Sequence, residues 1–362
     1  MLVEGAVLDA DGARPAYVLF RRGRILEVGR PGTDSTRGRV RKVRGIVVPS
    51  PVNSHVHLGD SVSTHEPPSG PVAGIVASPM GYKFRLLREA SDPRKRAAMR
   101  SALRRMEREG VRSVIDFREE GRPGVELLRS ASEGLGVRVI ALGRPLQRPV
   151  DPRELASILE VADGIGLSSA RDETTTTLAT VSRACRATGK RFALHASEAT
   201  REPPDAYLSA RPDLLVHLAK ASPDDLAAVR DAGVPVAVCP RSNALFGRQP
   251  DLRAMERLGI SVLLGTDNVM FQAPSIWREL EFAYVATRLR GRPASAAFLA
   301  RTALVEPWKW LGTPEAATIA PGSAARPLVV RLPPDDPDYQ IVTRTTEHLI
   351  APVEPERTGA GR

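Results

Sequence analysis

Eight short apolar runs alternate with amphipathic helical segments along this 362-residue chain. A short apolar run, a turn and a helical stretch are together typical of the strand–helix unit of a parallel sheet. The predicted strands are Ile46–Val48 leading into His55, Val111–Phe117, Arg138–Leu142, Gly164–Leu167, Arg191–His195, Leu214–Leu218, Pro235–Cys239 and Ser261–Asp267. Helices such as Asp92–Glu109 and Thr174–Thr188 are predicted between them, with glycines at their ends. Since eight such units close a barrel, we predict an α/β fold built on a distorted (β/α)8 TIM barrel.

The two ends of the chain supply about a hundred residues beyond the roughly 250 that a barrel needs. Residues 1–45 contain short apolar runs separated by turns, and Pro327–Leu332 is a similar run near the other end. We expect these runs to pair into a small β-sandwich domain, residues 1–45 with 318–350, beside a barrel of residues 46–317. Residues 351–362 contain two prolines and two glycines without apolar periodicity, and are expected to form a disordered tail.

The composition argues against a membrane or secreted protein. No apolar run approaches the roughly 18 residues of a membrane span. The first residues, MLVEGAVLDADG, carry acids where a secretory signal has a basic start and a long apolar stretch. Two cysteines are too few for a disulfide framework or a cysteine-rich zinc module. We therefore expect a cytoplasmic protein without membrane association.

The formal net charge of +10 raises the question of a nucleic-acid partner. Only six of the 52 basic residues are lysines, and the arginines are spread over the whole length of the chain. Short clusters such as Arg94-Lys95-Arg96 are not interleaved with aromatic residues that could stack on bases. We interpret the surplus as arginine-biased composition on solvated faces and predict no nucleic-acid partner.

Histidines and one aspartate coincide with the carboxyl ends of predicted barrel strands, where barrel active sites are built. His55 and His57 are alternate residues of a strand, so both imidazoles point to the same face. His195 ends the fifth predicted strand, His217 lies in the sixth and Asp267 ends the eighth. Three imidazoles with one carboxylate oxygen suit Zn²⁺ or Fe²⁺ and leave a position open for water.

Four motifs carry a resemblance to a known family. Val47–Leu58, with its His-x-His pair, resembles the opening metal motif of the amidohydrolase superfamily. His195–Glu198 resembles the His-x-x-Glu motif of the deaminase branch. Cys239–Asn243, followed by Gly265–Asp267, is similar to the group of chlorohydrolases, guanine deaminases and methylthioadenosine deaminases. The resemblance covers nearly the whole chain.

The resemblance implies one divalent metal ion per chain, with zinc expected ahead of iron. Its ligands would be His55, His57, His195 and Asp267, and His217 would contact the metal-bound water. The fourth predicted strand ends without the lysine that carries the carbamate bridge of binuclear members, which agrees with a single ion. The resemblance also implies a homodimer or a larger homo-oligomer.

Glu198 lies three residues beyond His195, close enough to reach both water and substrate. We predict that Glu198 takes the proton of the water and delivers it to a ring nitrogen. His217 would stabilise the developing oxyanion, and Asp267 would pass the second proton to the leaving ammonia. The alternative for Glu198 is a surface carboxylate that starts the next helix.

Polar residues after other strands are candidates for substrate contacts. Arg118 follows the second predicted strand at the active face of the barrel. Arg241 and Asn243 follow the seventh, in a loop that the resemblance places beside the pocket. His65, in the long loop after the first strand, is either a substrate contact or a solvated residue.

Together these features predict a metal-dependent amidohydrolase that deaminates a small heterocycle, such as a nucleobase, a nucleoside or a related ring, by metal-bound hydroxide. Hydrolysis of a cyclic amide or an imidazolone ring is the alternative within enzymes, and release of ammonia separates the two reactions. A catalytically inactive barrel that serves as a scaffold or binding protein is the alternative of another class, although a scaffold has no need of the ligand set.

Overall fold

The computed structural model describes residues 1–34, 36, 40–63, 65–76, 80–323 and 326–352. Its strands are β1 (Leu2–Asp9), β2 (Gly12–Arg21), β3 (Arg24–Gly29), β4 (Lys42–Val48), β5 (Val52–His57), β6 (Ser113–Arg118), β7 (Arg138–Gly143), β8 (Gly164–Ser169), β9 (Arg191–Ala196), β10 (Leu214–His217), β11 (Val236–Val238), β12 (Val262–Leu264), β13 (Asp267–Asn268), β14 (Leu328–Val330) and β15 (Ile350–Pro352). Most of the tail that was predicted to be disordered, residues 353–362, lies outside the described residues.

Fourteen α-helices connect these strands in the part of the chain that the structure describes. They are α1 (Val72–Val76), α2 (Tyr82–Glu89), α3 (Asp92–Arg108), α4 (Gly121–Ser132), α5 (Pro152–Val161), α6 (Thr175–Ala187), α7 (Pro204–Leu208), α8 (Pro223–Ala232), α9 (Pro240–Leu245), α10 (Leu252–Leu258), α11 (Ile276–Leu289), α12 (Ala296–Leu304), α13 (Glu306–Trp310) and α14 (Pro337–Arg344). Short 3-10 helices cover Leu58–Val62, Ala170–Asp172, Pro314–Ala317 and Glu347–Leu349. Across the described ranges, no helix is both long enough and apolar enough to cross a membrane.

A curled parallel sheet of nine strands carries the candidate site. Its order is β12-β11-β10-β9-β8-β7-β6-β5-β13. From β5 to β12, neighbours in the sheet follow one another in the chain, as strand–helix repeats require. The two end strands, β12 and β13, are separated only by Gly265 and Thr266. Because β12 pairs with β11 while β13 pairs with β5, the last segment of the sheet returns to its first strand. This architecture confirms the predicted α/β fold with a barrel-like sheet.

The interior of this sheet follows the two-residue period of a strand. Ile115 and Phe117 of β6 pack with Ile140 and Leu142 of β7 in one buried cluster. Their neighbours in sequence, such as Val114, face the helices and belong to the larger core outside the sheet. The parallel strands are therefore buried on both faces, as the continuous apolar runs of the sequence require.

Strands from both ends of the chain share a second sheet, in the order β15-β14-β4-β1-β2-β3. Strand β4 is parallel to β1, with Ile46 opposite Ala6, and antiparallel to β14, with Val47 opposite Val329. The two termini thus meet as expected. Among the described residues these strands form one six-stranded sheet, and the separate sandwich domain with its predicted boundaries stays a prediction.

The first predicted barrel strand is not one strand. Ile46–Val48 ends β4, which belongs to the six-stranded sheet, and the barrel strand with both histidines begins only at Val52. Pro49 and Pro51 lie between them, and neither has an N–H to donate to a strand ladder. The chain therefore changes sheets at this segment, which places it at the junction between the two sheets.

Candidate active site

The predicted ligands lie together at the carboxyl end of the parallel strands. His55 and His57 end β5, His195 lies on β9, His217 ends β10 and Asp267 begins β13. All five side chains are buried. The structure therefore brings together every residue that the sequence assigned to the metal site or its water.

His55 and Asp267 form the centre of this cluster. Nε2 of His55 lies 3.3 Å from Oδ1 of Asp267, and Nε2 of His57 lies 3.5 Å from the same oxygen. Burial lowers the pKa of His55 to about 3, so its imidazole is neutral. Burial alone would raise the pKa of Asp267, but the contact with His55 outweighs it and holds that pKa well below its usual range.

Backbone carbonyls orient two of the imidazoles. Nδ1 of His57 donates to the carbonyl oxygen of Phe117 (3.0 Å), and Nδ1 of His195 donates to that of Leu167 (2.7 Å). A donor at Nδ1 leaves the lone pair of the neutral ring at Nε2. Burial lowers the pKa of both rings, so each presents a neutral nitrogen to the site.

His217 differs from these two histidines in which ring nitrogen carries the proton. The side-chain amide of Asn243 donates from Nδ2 to Nδ1 of His217 at 3.2 Å. Nδ1 is then the acceptor, so the proton of the neutral ring lies on Nε2. This nitrogen lies 3.7 Å from Oε2 of Glu198. His217 therefore presents a proton donor to the space that the other histidines face with lone pairs.

Glu198 lies two residues beyond β9. Burial raises the pKa of its carboxyl group. A raised pKa makes the carboxylate a stronger base, which favours its taking a proton from water. The predicted acid–base residue thus lies beside the candidate metal ligands, and not on a solvated surface.

Asp267 is held by hydrogen bonds to both of its oxygens. Ser242 donates to Oδ2 at 2.5 Å, and the amide of Asn268 donates to Oδ1 at 2.9 Å. Its backbone is left-handed, with φ of 60°, as are those of Ser197 (46°) and His217 (76°). Each such residue costs about 1–3 kcal/mol, and this kind of strain is typical of functional sites.

A cavity of ≈ 260 Å³ opens over this cluster. Its lining includes His57, His195, Glu198, His217, Asp267, Lys83, Arg144 and Asn268. Arg144 is 7% exposed, and within the described chain its guanidinium makes one long bond, from Nε to the carbonyl oxygen of Gly166 at 3.5 Å. Burial lowers the pKa of Arg144. The cavity wall therefore presents a desolvated cation with unused donors.

The three predicted substrate contacts lie elsewhere in the described structure. Arg118 is 1% exposed and bonds to the Glu119 carboxylate, while Nε of Arg241 donates to Glu279 at 2.7 Å. Asn243 holds His217. In the described part of the chain none of the three lines the cavity, and nitrogen atoms of each side chain contact protein partners. Oδ1 of Asn243 is buried without a hydrogen-bond partner among the described residues. Their assignment as substrate contacts stays a prediction.

Buried charges behind His57 are a feature that the sequence did not indicate. Oε1 of Glu119 lies 2.7 Å from Nδ1 of His57 and 2.5 Å from Nζ of Lys83. Burial would raise the pKa of Glu119, but the charge of Lys83, the contact with His57 and the charge of Arg118 outweigh it and hold that pKa well below its usual range. Lys83 lies in a helix after the long loop that follows β5, and nothing in its local sequence marks it as part of a site.

The donor set fits a divalent metal ion. His55, His57 and Asp267 each place one donor atom within 4.8 Å of the others, and so do His55, His195 and His217. Both ring nitrogens of His55 are fully buried without a hydrogen-bond partner among the described residues. An unpaired buried nitrogen with a low pKa is costly unless it binds a ligand. Imidazole and carboxylate donors are those that zinc and iron accept.

Comparisons with known proteins agree with this arrangement. Residues 46–350 match the model of the amidohydrolase family. A protein of Methanothermobacter thermautotrophicus named as an aminohydrolase is 37% identical over 262 residues, which are 67% of this chain and 68% of the relative. An isoxanthopterin deaminase from an unknown prokaryote is 27% identical, over 81% of this chain and 74% of the relative.

A solved structure shares the fold. An adenosine deaminase from Xanthomonas campestris with bound zinc superposes with a TM-score of 0.80 at 16% identity, over 96% of this chain and 90% of that one. The family match covers most of the chain and includes all the clustered histidines and Asp267. The protein therefore belongs to the amidohydrolase family and is a hydrolase that acts on carbon–nitrogen bonds other than peptide bonds.

Proposed function

We propose that this protein is a metal-dependent deaminase that removes an amino group from a ring carbon of a small heterocycle. The observation that carries the proposal is the pair of Glu198 and His217, whose Oε2 and Nε2 atoms lie 3.7 Å apart at the wall of the cavity. The carboxyl group of Glu198 has a raised pKa and the imidazole of His217 presents a proton, directly beside the His/Asp cluster.

His55, His57, His195 and Asp267 would hold one divalent ion, for which we propose zinc. Such an ion would supply a Lewis acid that lowers the pKa of a water molecule to about 7. His217 is left out of this set because Asn243 occupies its Nδ1 and the proton lies on Nε2.

Glu198 would carry one proton through two transfers in this reaction. Its carboxylate takes a proton from the attacking water and delivers it to the ring nitrogen beside the reacting carbon, which makes that carbon more electrophilic. Nε2–H of His217 donates to the oxygen as negative charge develops there. Asp267 then accepts the remaining proton of that oxygen and passes it to the amino group, which leaves as ammonia while a ring carbonyl forms.

Arg144 narrows the substrate class. A buried guanidinium with unused donors favours a ligand that carries an acceptor oxygen, because the charge is otherwise left without a partner. A cavity of ≈ 260 Å³ has room for one fused bicyclic ring. The similarity to an isoxanthopterin deaminase agrees with an amino- and oxo-substituted ring of the pterin or purine kind.

The test is release of ammonia by the zinc-loaded protein from a panel of pterins, purines, pyrimidines, triazines and their nucleosides. We expect turnover of at least one oxo-substituted amino ring, and turnover about 10²–10⁴-fold slower by the Glu198→Gln variant. If the protein instead opens cyclic amide rings without releasing ammonia, its activity is lactam hydrolysis and not deamination. Absence of turnover with both panels, from a chain that binds zinc, would favour the scaffold.

A further inference from the structure

Lys83 is a buried lysine on helix α2 whose ammonium group reaches the candidate site. Its side chain is 2% exposed, and it lines the cavity together with His57 and Asp267. The proposed reaction assigns it no proton to carry. A buried ammonium is costly unless it is fully paired, so the partners of Lys83 indicate its role.

The ammonium group has two close partners on different strands. Nζ lies 2.5 Å from Oε1 of Glu119, which follows β6, and donates to Oδ1 of Asn268 on β13 at 3.1 Å. Oδ2 of Asp60 lies farther away, at 4.0 Å. Lys83 thus joins the second strand of the curled sheet to the last one.

Each of these partners holds one proposed metal ligand. Oε1 of Glu119, the same atom that contacts Lys83, lies 2.7 Å from Nδ1 of His57. The amide nitrogen of Asn268 donates to Oδ1 of Asp267 at 2.9 Å. Lys83 accepts no hydrogen bond; it donates one to Asn268 and forms an ion pair with Glu119. It therefore fixes the direction of the Asn268 amide, with oxygen toward Lys83 and nitrogen toward Asp267.

We propose that Lys83 is a positioning residue that sets the orientation of His57 through Glu119 and of Asp267 through Asn268. The inference rests on the proposed function only in taking these two residues as metal ligands. Loss of the ammonium group frees the Asn268 amide to turn and removes the ion pair between Lys83 and Glu119. Both ligands then lose an orienting contact at once. Partners that orient ligands typically change metal affinity about 10- to 100-fold.

Binding of the metal alone tests this without a substrate. Zn²⁺ affinity is measured by competition with a chromogenic chelator, and the visible spectrum of the Co²⁺-loaded protein reports ligand geometry. We expect Lys83→Met to weaken Zn²⁺ binding about 10- to 100-fold and to change the Co²⁺ spectrum. Lys95→Met is the matched control, because Lys95 is a buried lysine that pairs with Glu120 and Asp92, away from the ligands. It should leave both readouts unchanged.

A second pair of measurements separates positioning from general damage. Lys83→Ala removes the side chain beside an open cavity, so added ethylammonium should restore Zn²⁺ affinity, whereas ethanol at the same concentration should not. If the Lys83 variants do not fold, Asn268→Leu removes only the hydrogen bonds that join Lys83 to Asp267 and should still weaken Zn²⁺ binding.

Zn²⁺ affinity and a Co²⁺ spectrum that match the wild type in Lys83→Met, or equal loss in Lys95→Met, would overturn the inference. A wild-type chain that takes up no ion would overturn it together with the proposed function. Weakened binding in Lys83→Met, with no ammonia released from any compound by the wild type, would support positioning and reject the deaminase.

Discussion

Glu198 and His217 face each other from the ends of neighbouring strands, with Oε2 of the carboxylate 3.7 Å from Nε2 of the imidazole. Asn243 fixes the imidazole with its proton toward the carboxylate, and burial raises the carboxyl pKa. A proton acceptor and a proton donor are therefore set beside the same reacting centre.

Glu198→Gln should lower kcat by about 10²–10⁴-fold while the protein keeps its metal and its fold. The amide keeps the size of the side chain but cannot take a proton from water. Ammonia release and elemental analysis on the same preparation measure the two properties. Turnover within about tenfold of the wild type would reject Glu198 as the acid–base residue.

His57→Ala should reduce bound metal well below one ion per chain, because it removes a nitrogen beside Asp267 and the ring that Glu119 and Phe117 orient. Elemental analysis after zinc loading checks this. His348→Ala is the control, since that side chain is 87% exposed and lies in a 3-10 helix outside the curled sheet. Equal metal content in the two variants would make the His-x-His pair structural.

Arg144→Met should raise KM about 10- to 100-fold for a substrate with an acceptor oxygen, as expected for loss of one charge-assisted hydrogen bond. The effect on kcat should be smaller, because Arg144 takes no part in the proton transfers. Arg148→Met is the control on the same loop, since Arg148 already pairs with Glu173. Steady-state kinetics of both variants decide between a substrate contact and a structural cation.

Asp60 should make the metal-free protein less stable as pH rises. Burial raises its pKa to about 8, against the smaller opposing effect of Lys83. Between its ordinary pKa near 4 and pH 8 the folded state holds a proton that the unfolded chain releases. The unfolding free energy therefore falls with rising pH, by at most about 1.4 kcal/mol per unit.

Asp60→Asn should flatten this slope, since the amide cannot ionise and still offers an oxygen to the N–H of Met270. Urea unfolding at pH 5, 6, 7 and 8 in the presence of a chelator gives the comparison. Parallel curves for the variant and the wild type would show that Asp60 is ionised throughout this range.

Gly265→Ala should destabilise the protein by about 1–3 kcal/mol, because its Cβ would lie 2.6 Å from both the Cβ and the backbone nitrogen of His55. Gly74→Ala is the control, because a Cβ at Gly74 meets nothing within 4 Å. Urea unfolding of both variants measures the difference. Equal stability would mean that β5 can move away from the close approach.

The sequence predicted most of the curled sheet because its signal is local. Each of the six predicted strands between Val111 and Cys239 begins and ends within two residues of the bounds of an observed strand. The first prediction, from Ile46 toward His55, was wrong in joining two strands of different sheets. An apolar run does not say which sheet it enters, and only the two prolines after Val48 marked the break.

The candidate ligands were predictable for a similar reason, since His55, His57, His195 and Asp267 lie at strand ends and parallel strands end together. The buried charges of Lys83 and Glu119 behind these ligands were not predictable from the sequence. Lys83 reaches Glu119 and Asn268 only because three distant segments pack together, and no spacing encodes such a contact. Arg118 is a strand-end residue by the same local rule, yet its guanidinium turns to a buried carboxylate.

The return of β13 to β5 joins the first strand of the curled sheet to the last. Asn53 and Thr266, 213 residues apart in sequence, are bonded across this line, and Asp267 lies beside them opposite Val56. An ion held by His55, His57 and Asp267 would stabilise the pairing of β5 with β13, because its ligands come from both strands. Since only the folded sheet brings all three donors together, metal supply and resistance to unfolding would be thermodynamically linked. Amide exchange along β5 and β13 would then report how fully the protein is loaded.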